Sequence, residues 1–276
     1  MPSSIEDVFP ELRSPHEVWQ NGAWTEPFQV FDYARLTPEF LASHLPDARL
    51  VDKGLVWTEV NGVQGMLPPA GRLAEVLGSH GFDPRRPALV YDGGNGLWAS
   101  RLAWALAVAG WNRVVLLEGG LQSWQEAGFA TQQGPALPLP LTHVKVHWRE
   151  EFYATWTEVR DRPPTTIVLD ARTRAEYQGS DRRAAKAGRI PGSVWWEWKL
   201  ALGSDGLSFR DGVGLALEFA ALGITAETEV ITYCQSGVRA AHALFALRKA
   251  GVKKVRNYDG SWEEWGNRND TPVELD

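Results

Sequence analysis

Cys234 is the one residue in this 276-residue chain with the makings of a strong nucleophile, and it is the only cysteine. It follows the apolar stretch Val230-Ile-Thr-Tyr233, and Gln235, Ser236 and Gly237 separate it from a helical pattern that begins near Val238. A short loop running from a strand's carboxyl end to a helix N-terminus turns several backbone N–H groups inward, and the helix dipole adds positive potential there. Such surroundings lower a thiol pKa from about 8.5 into a range of about 3.5 to 7.5, which makes the thiolate the resting form. Arg239 adds a full charge near the start of the helix, placed to pair with the loop or with a substrate. The competing reading is a buried, small apolar cysteine with no chemistry. Its position favours reactivity, because open α/β sheets bind ligands at the carboxyl ends of parallel strands.

A loop of this kind needs a sheet to carry it, and the sequence encodes that sheet twice. Glu118-Gly-Gly-Leu-Gln-Ser-Trp124 matches Asp259-Gly-Ser-Trp-Glu-Glu-Trp265, and Ala109-Gly-Trp-Asn-Arg-Val-Val115 matches Ala250-Gly-Val-Lys-Lys-Val-Arg256, both at an offset of 141. Ala88-Leu-Val-Tyr-Asp92 matches Val230-Ile-Thr-Tyr-Cys234 at 142, so Asp92 stands in the cysteine position of the first copy. Val30-Phe-Asp-Tyr-Ala-Arg35 resembles Val168-Leu-Asp-Ala-Arg172, and Ser43-His-Leu-Pro-Asp-Ala48 resembles Gly188-Arg-Ile-Pro-Gly-Ser193. β-rich runs (Ile167 to Leu169, Val230 to Tyr233, Val114 to Leu117) alternate with helical patterns such as Arg239 to Lys249, closed by Gly251. This alternation predicts an α/β fold of two tandem domains, each a mostly parallel sheet with helices on both faces. The boundaries read from the sequence are 1–130 for the first domain, 131–143 for a proline-rich linker around Gly134 to Pro140, and 144–276 for the second.

Composition narrows the function classes. A single cysteine excludes an internal disulfide framework and a cysteine-rich zinc site, and no metal or cofactor is expected. The net charge of −6 gives no reason for binding nucleic acid or an anionic membrane. Up to residue 141 the chain has nine Lys+Arg against fifteen Asp+Glu, and beyond it nineteen of each, so the negative balance lies wholly in the first half. The start, MPSSIEDVFP, does not read as a signal peptide, and the longest helix-like apolar run, Leu102 to Gly110, is far short of the roughly 20 residues that span a bilayer. A cytoplasmic protein is expected. The glycine-rich stretch from Asp92 to Arg101 lacks both the Lys-Ser/Thr ending of a phosphate loop and a complete dinucleotide-binding glycine spacing.

Taken together, Cys234-Gln-Ser-Gly-Val-Arg239, Asp170-Ala-Arg172, Gly188-Arg-Ile-Pro-Gly-Ser193 and Tyr258-Asp-Gly-Ser-Trp-Glu-Glu-Trp265 resemble the rhodanese family of sulfurtransferases, over nearly the whole chain. The resemblance implies an inactive first copy, with Asp92 in the cysteine position, and a catalytic second copy. It also implies a two-step reaction in which Cys234 takes sulfur from a small anionic donor, thiosulfate or 3-mercaptopyruvate, and passes it from a persulfide to cyanide or a thiol. The residues Gln235, Ser236, Gly237, Val238 and Arg239 would form the cradle. Asp170, Arg172, Arg174, Arg182, Arg183 and Trp262 would support the loop or touch the substrate. Related cysteine phosphatases use a loop with five residues between Cys and Arg; here there are four, which suits sulfur over phosphate.

Donor choice follows less directly. Thiosulfate-using tandem members often carry Cys-Arg-Lys-Gly-Val-Thr and mercaptopyruvate-using ones Cys-Gly-Ser-Gly-Val-Thr; Ser236 and Gly237 lean towards the second, while Arg239 resembles the loop arginine of single-domain members. The family's donor-binding arginine position is Glu176 here, which leaves Arg174, Arg182, Arg183 or Arg189 to supply the charge. Thiosulfate is the expected donor and 3-mercaptopyruvate the alternative; a noncatalytic binding or redox-sensing module and a phosphatase or arsenate reductase are further readings. Asp170 and Arg172 are expected to pair and brace the loop, His242 to pack its helix, and Trp195 to Trp198 to pack against the first domain.

Overall fold

The computed structural model describes residues 9–136 and 140–275. Residues 137–139 of the expected linker and the first eight residues lie outside the described residues.

In the first half of the chain the elements run β1 (Glu11–Arg13), α1 (Pro15–Val18), β2 (Trp19–Gln20), β3 (Ala23–Trp24), β4 (Gln29–Tyr33), α2 (Thr37–Ala42), β5 (Arg49–Val51), β6 (Thr58–Val60), β7 (Val63–Met66), α3 (Ala70–Ser79), β8 (Ala88–Tyr91), α4 (Leu97–Val108), β9 (Val114–Leu117) and α5 (Gly120–Glu126). The second half continues with β10 (Tyr153–Ala154), α6 (Trp156–Arg160), β11 (Ile167–Asp170), α7 (Arg174–Gln178), β12 (Val194–Trp195), α8 (Gly212–Ala221), β13 (Glu229–Tyr233), α9 (Val238–Lys249), β14 (Lys254–Tyr258) and α10 (Ser261–Trp265). Two five-stranded sheets result, ordered β1-β9-β8-β4-β5 and β10-β14-β13-β11-β12, and every pairing within them is parallel. The duplicated α/β architecture expected from the repeats is borne out strand for strand.

Parallel central strands are covered on both faces, which is why β8 (ALVY) and β9 (VVLL) are unbroken apolar runs with every residue buried. The helices that follow the central strands are built to lie close to the sheet. In α9 every residue from Val238 to Leu247 except Arg239 is buried, four of them alanines. Each larger apolar side chain on that helix, such as Leu244 or Phe245, contributes about 1.5–3 kcal/mol by leaving water. Tryptophan closes both cores at matching places. Trp124 lies with Trp19, Trp24 and Phe129, and Trp265 with Tyr258, Trp262 and Trp156.

By contact the chain divides into one unit of Met1–Val56, Pro68–Arg149 and Gly203–Phe209, and another of Trp57–Leu67, Glu150–Leu202 and Arg210–Asp276. This partition differs from the boundaries read along the sequence in three ways, the first being that Gly203–Phe209, within the second copy, belongs to the first unit. Residues 142 to 149 stay along the first unit, with the Thr142 amide donating to Gly78 and those of His147 and Arg149 to Ala109 and Val108. The antiparallel β6–β7 hairpin, turned at Asn61-Gly62, belongs to the second unit despite its place in the first copy. Such exchanges carry no local sequence signature, because they depend on contacts far apart in the chain. The segment Trp195 to Trp198, expected to pack on the first domain, finds partners in its own unit: Trp195 donates its indole N–H to the Arg172 carbonyl, Trp196 packs on Phe219 and Trp198 on His242.

Candidate active site

Cys234 follows the carboxyl end of β13 and is 1% exposed. The loop that leads from it into α9 is held from the outside. Ser261 Oγ accepts the amides of Cys234 and Gly237, each at 3.1 Å, and donates to the Tyr258 carbonyl at 2.8 Å. The amides of Trp262 and Glu263 donate to the carbonyls of Cys234 and Gln235, and Asn257 Nδ2 donates to that of Gly237. Among the described residues the amides of Gln235, Ser236, Val238, Arg239 and Ala240 are left without a protein acceptor. They surround the start of a twelve-residue helix, where the dipole reinforces them.

The matching loop of the first unit shows what such amides hold. There the Asp92 carboxylate accepts four of them: Oδ1 those of Gly94 and Gly96, each at 3.0 Å, and Oδ2 those of Trp98 and Ala99 at 3.0 and 3.1 Å. Trp98 and Ala99 lie two and three residues beyond Gly96, the N-cap of α4; Arg239 and Ala240 lie two and three beyond Gly237, the N-cap of α9. The Leu121 amide donates to the Asp92 carbonyl just as that of Trp262 does to Cys234.

Behind the cysteine loop stands a buried charged group. Arg172 Nε lies 2.9 and 3.1 Å from the two oxygens of Asp170, its NH2 2.6 Å from Oδ2 and 2.8 Å from the Gly188 carbonyl, and Tyr233 donates its hydroxyl to the same carboxylate. Burial and the neighbouring Asp170 charge push the Tyr233 hydroxyl well above its ordinary pKa. Burial pulls the Arg172 guanidinium down, but Asp170, with Tyr233 and Glu176, outweighs it and leaves it above its ordinary value. Arg172 also lies over the ring of Trp262 at 4.5 Å. Trp262 is itself 1% exposed, so it packs the loop from behind and does not line an opening.

Arg239 is the arginine fixed at the loop, among the described residues. Its NH1 and NH2 meet the two oxygens of Glu176 at 2.6 and 2.8 Å. Glu176 closes a capping box on α7, accepting the amide and hydroxyl of Thr173 at 3.1 and 2.9 Å. Burial works to raise the Glu176 carboxyl, but Arg239 and Thr173 together hold it down at about 2. Arg239 is pulled down by burial and carried above its ordinary value chiefly by its hydrogen-bonded pairing with Glu176. Arg183 is half-exposed, 3.7 Å from Glu176 and paired to Asp181. Arg174 lies over Trp195 and Tyr177, Arg182 donates to the carbonyls of Ala184 and Ala185, and Arg189 pairs with Glu274. Gln235 reaches outward, its Nε2 donating to Glu263 and the Arg183 carbonyl. His242 is fully buried on α9, edge-on to Trp198 at 5.1 Å.

Sequence reasoning passed over Ser261 and treated Glu176 only as a lost arginine. Signals for both were present. Ser261 aligns with Gly120, and both adopt positive φ, 51° and 53°; a serine kept where the twin has glycine points to work for its hydroxyl. Glu176 and Arg239 are both departures from the tandem pattern, of opposite charge.

The rhodanese-like domain model matches residues 14–127 and again 155–268. The chain is 36% identical over 242 residues to a thiosulfate sulfurtransferase of Pseudomonas aeruginosa, covering 86% of this chain and 87% of that protein. It is 31% identical over 241 residues to a 3-mercaptopyruvate sulfurtransferase of Escherichia coli, covering 86% and 85%. The crystal structure of YnjE superposes with a TM-score of 0.83 over 96% of this chain and 68% of its own, at 24% identity. No helix among the described residues is long and apolar enough to cross a membrane. Two matched domains, each with the same sheet and a short loop at the same place ahead of its long helix, place this chain in the rhodanese family as a tandem-domain sulfurtransferase.

Proposed function

We propose that the chain transfers the outer sulfur of thiosulfate to cyanide or a thiol through a persulfide on Cys234. The observation that carries this reading is the Asp92 carboxylate in the twin loop, which supports it by resting as an anion on backbone amides at the matching helix start. In the second unit the amides of Arg239 and Ala240, the counterparts of those of Trp98 and Ala99, are unspent, while that of Gly237, the counterpart of Gly96, turns to Ser261, and a sulfur nucleophile stands where the carboxylate would be.

In the first step the Cys234 thiolate attacks the outer sulfur of thiosulfate. A new S–S bond forms, the old one breaks, and sulfite leaves with the bonding pair, so Cys–S⁻ and S–SO3²⁻ become Cys–S–S⁻ and SO3²⁻. The amides of Gln235, Ser236, Val238, Arg239 and Ala240, with the dipole of α9 behind them, stabilise the persulfide anion. In the second step cyanide attacks the outer sulfur, thiocyanate departs and the thiolate returns. Asp170, Arg172 and Trp262 brace the loop without touching the donor, and Glu176 holds the Arg239 guanidinium at the site. That bidentate hold also argues against a phosphatase, whose arginine must present its fork to the phosphate.

Thiosulfate is favoured as donor by the likeness of Arg239 to the loop arginine of single-domain members and by the relative from Pseudomonas aeruginosa, which carries that activity in its name. The relative from Escherichia coli and the Ser236-Gly237 pair favour 3-mercaptopyruvate as the second reading. Steady-state kinetics with both donors and cyanide as acceptor decide between them: a higher kcat/KM for thiosulfate is expected, and a tenfold or greater preference for 3-mercaptopyruvate overturns the donor assignment.

A further inference from the structure

The β6–β7 hairpin lies outside every role assigned so far, yet it meets the centre of the cysteine loop. Trp57, just ahead of β6, points its indole N–H at Ser236 Oγ, 3.4 Å away. Gly65, in β7, has φ +88°, and a Cβ added there would stand 2.6 Å from Ser236 Cβ, 2.7 Å from Trp57 Nε1 and 3.1 Å from the Ser236 carbonyl oxygen. One residue past β7, the Leu67 amide donates at 2.7 Å to Asp259 Oδ2, a buried carboxylate two residues before Ser261. The hairpin therefore grips both limbs of the loop's support. It bears on Ser236 directly, and through Asp259 it bears on the turn whose serine anchors the amides of Cys234 and Gly237.

We infer that this hairpin is a positioning element of the sulfur-transfer site, with Trp57 and Gly65 setting where Ser236 and its amide stand relative to the sulfur on Cys234. The inference rests on the assignment of Cys234 as the sulfur carrier. Its physical content is steric. At a Cβ separation of 2.6 Å one of the two segments must move, and Ser236 sits in the middle of a loop whose function is to aim amides. The indole N–H fixes the Ser236 side chain from the same side, so the third residue of the loop is held by a strand distant in sequence.

The test uses the full chain, whose single cysteine makes every thiol readout specific to Cys234. Two rates are measured for wild type, Gly65→Ala, Trp57→Phe, Ser236→Gly and the double variant Gly65→Ala/Ser236→Gly: single-turnover persulfide formation from thiosulfate, and alkylation of Cys234 by iodoacetamide at fixed pH. Gly65→Ala is expected to slow both at least tenfold, with the loss in kcat and little change in KM. Trp57→Phe keeps the ring, loses the N–H, and is expected to slow persulfide formation three- to tenfold. Removing the opposing Cβ, in the double variant, leaves the contact with Trp57 Nε1 and the positive φ in place and is expected to recover both rates at least threefold over Gly65→Ala, a recovery that general destabilisation does not produce. Gly65→Ala at wild-type rates, or slowed with no recovery in the double variant, overturns the proposal. The alkylation arm keeps the outcomes separate: a wild-type protein that forms no persulfide sinks the sulfur-transfer reading, while unaltered alkylation in Gly65→Ala sinks the hairpin inference on its own.

Discussion

The loops after β8 and β13 share one backbone design and end in opposite states. Both leave a central strand, enter a twelve-residue helix through a glycine N-cap, and have their first carbonyl bonded by an amide from the following short helix. In the first unit the chain supplies its own anion, and four amides close on Asp92. In the second the amides stay open, and the support comes from Ser261 behind the loop. An oxyanion site is thus a property of the fold, and whether it is a capped helix end or a reactive centre depends on which side chain stands at one position. The arginine–aspartate pair beside each loop is duplicated too: Arg35 pairs with the buried Asp32 at 2.6 Å in the first unit as Arg172 pairs with Asp170 in the second.

The largest effect comes from converting one loop into the other. Cys234→Asp places a carboxylate among the open amides; sulfur-transfer turnover is expected to fall by at least about 10³-fold, while the melting temperature stays at or above that of Cys234→Ser. A Cys234→Asp protein that melts well below Cys234→Ser would show that the second cradle does not accept a carboxylate, and would break the comparison. The converse change, Asp92→Ala, orphans four amides at the head of α4 and is expected to destabilise the first unit by about 3–5 kcal/mol in urea unfolding. Turnover at the second loop should survive it under conditions where the protein remains folded.

A smaller effect concerns pH. Burial, opposed by Arg35, raises the Asp32 carboxyl from 3.8 to about 6. A folded-state value above the unfolded one means that the protonated carboxyl contributes stability below about pH 4, and that this contribution is lost as pH rises through 6. Compared with non-titrating Asp32→Asn, the wild type should therefore lose up to about 3 kcal/mol of stability between pH 4 and pH 7. A stability difference that does not vary with pH contradicts this environment for Asp32. The smallest effect belongs to Ser261→Gly, which installs the first copy's residue. It gives up three hydrogen bonds but relieves a left-handed backbone, so stability should change by less than about 1 kcal/mol while persulfide formation slows a few-fold. Ser261→Ala loses the bonds and keeps the strain, and should be the less stable of the two by thermal melting.

The duplication, the parallel sheets and the cysteine loop were legible in the sequence because each rests on a local pattern: apolar strands, an alanine-rich helix with Gly251 beyond it, and matched motifs at offsets near 141. The tie between Glu176 and Arg239 was half legible. The sequence displayed two unusual charges 63 residues apart, but only folding brings α7 beside the head of α9. The hairpin on Ser236 was not legible at all, since Trp57 and Ser236 are 179 residues apart and neither belongs to a local motif that names the other. Trp262 reads from the sequence as a residue for either the core or the pocket; stacking of Arg172 on its ring, with both side chains buried, places it in the core.

The central claim is that the open cradle of the second copy carries sulfur on Cys234. Its most direct test is to incubate the protein with thiosulfate, remove the excess donor and map the peptides by mass. One added sulfur, about 32 Da, on the peptide containing Cys234 and absent from Cys234→Ser is the expected result. A wild-type protein unchanged in mass after thiosulfate and after 3-mercaptopyruvate, or a Cys234→Ser protein that still takes up sulfur, would contradict it.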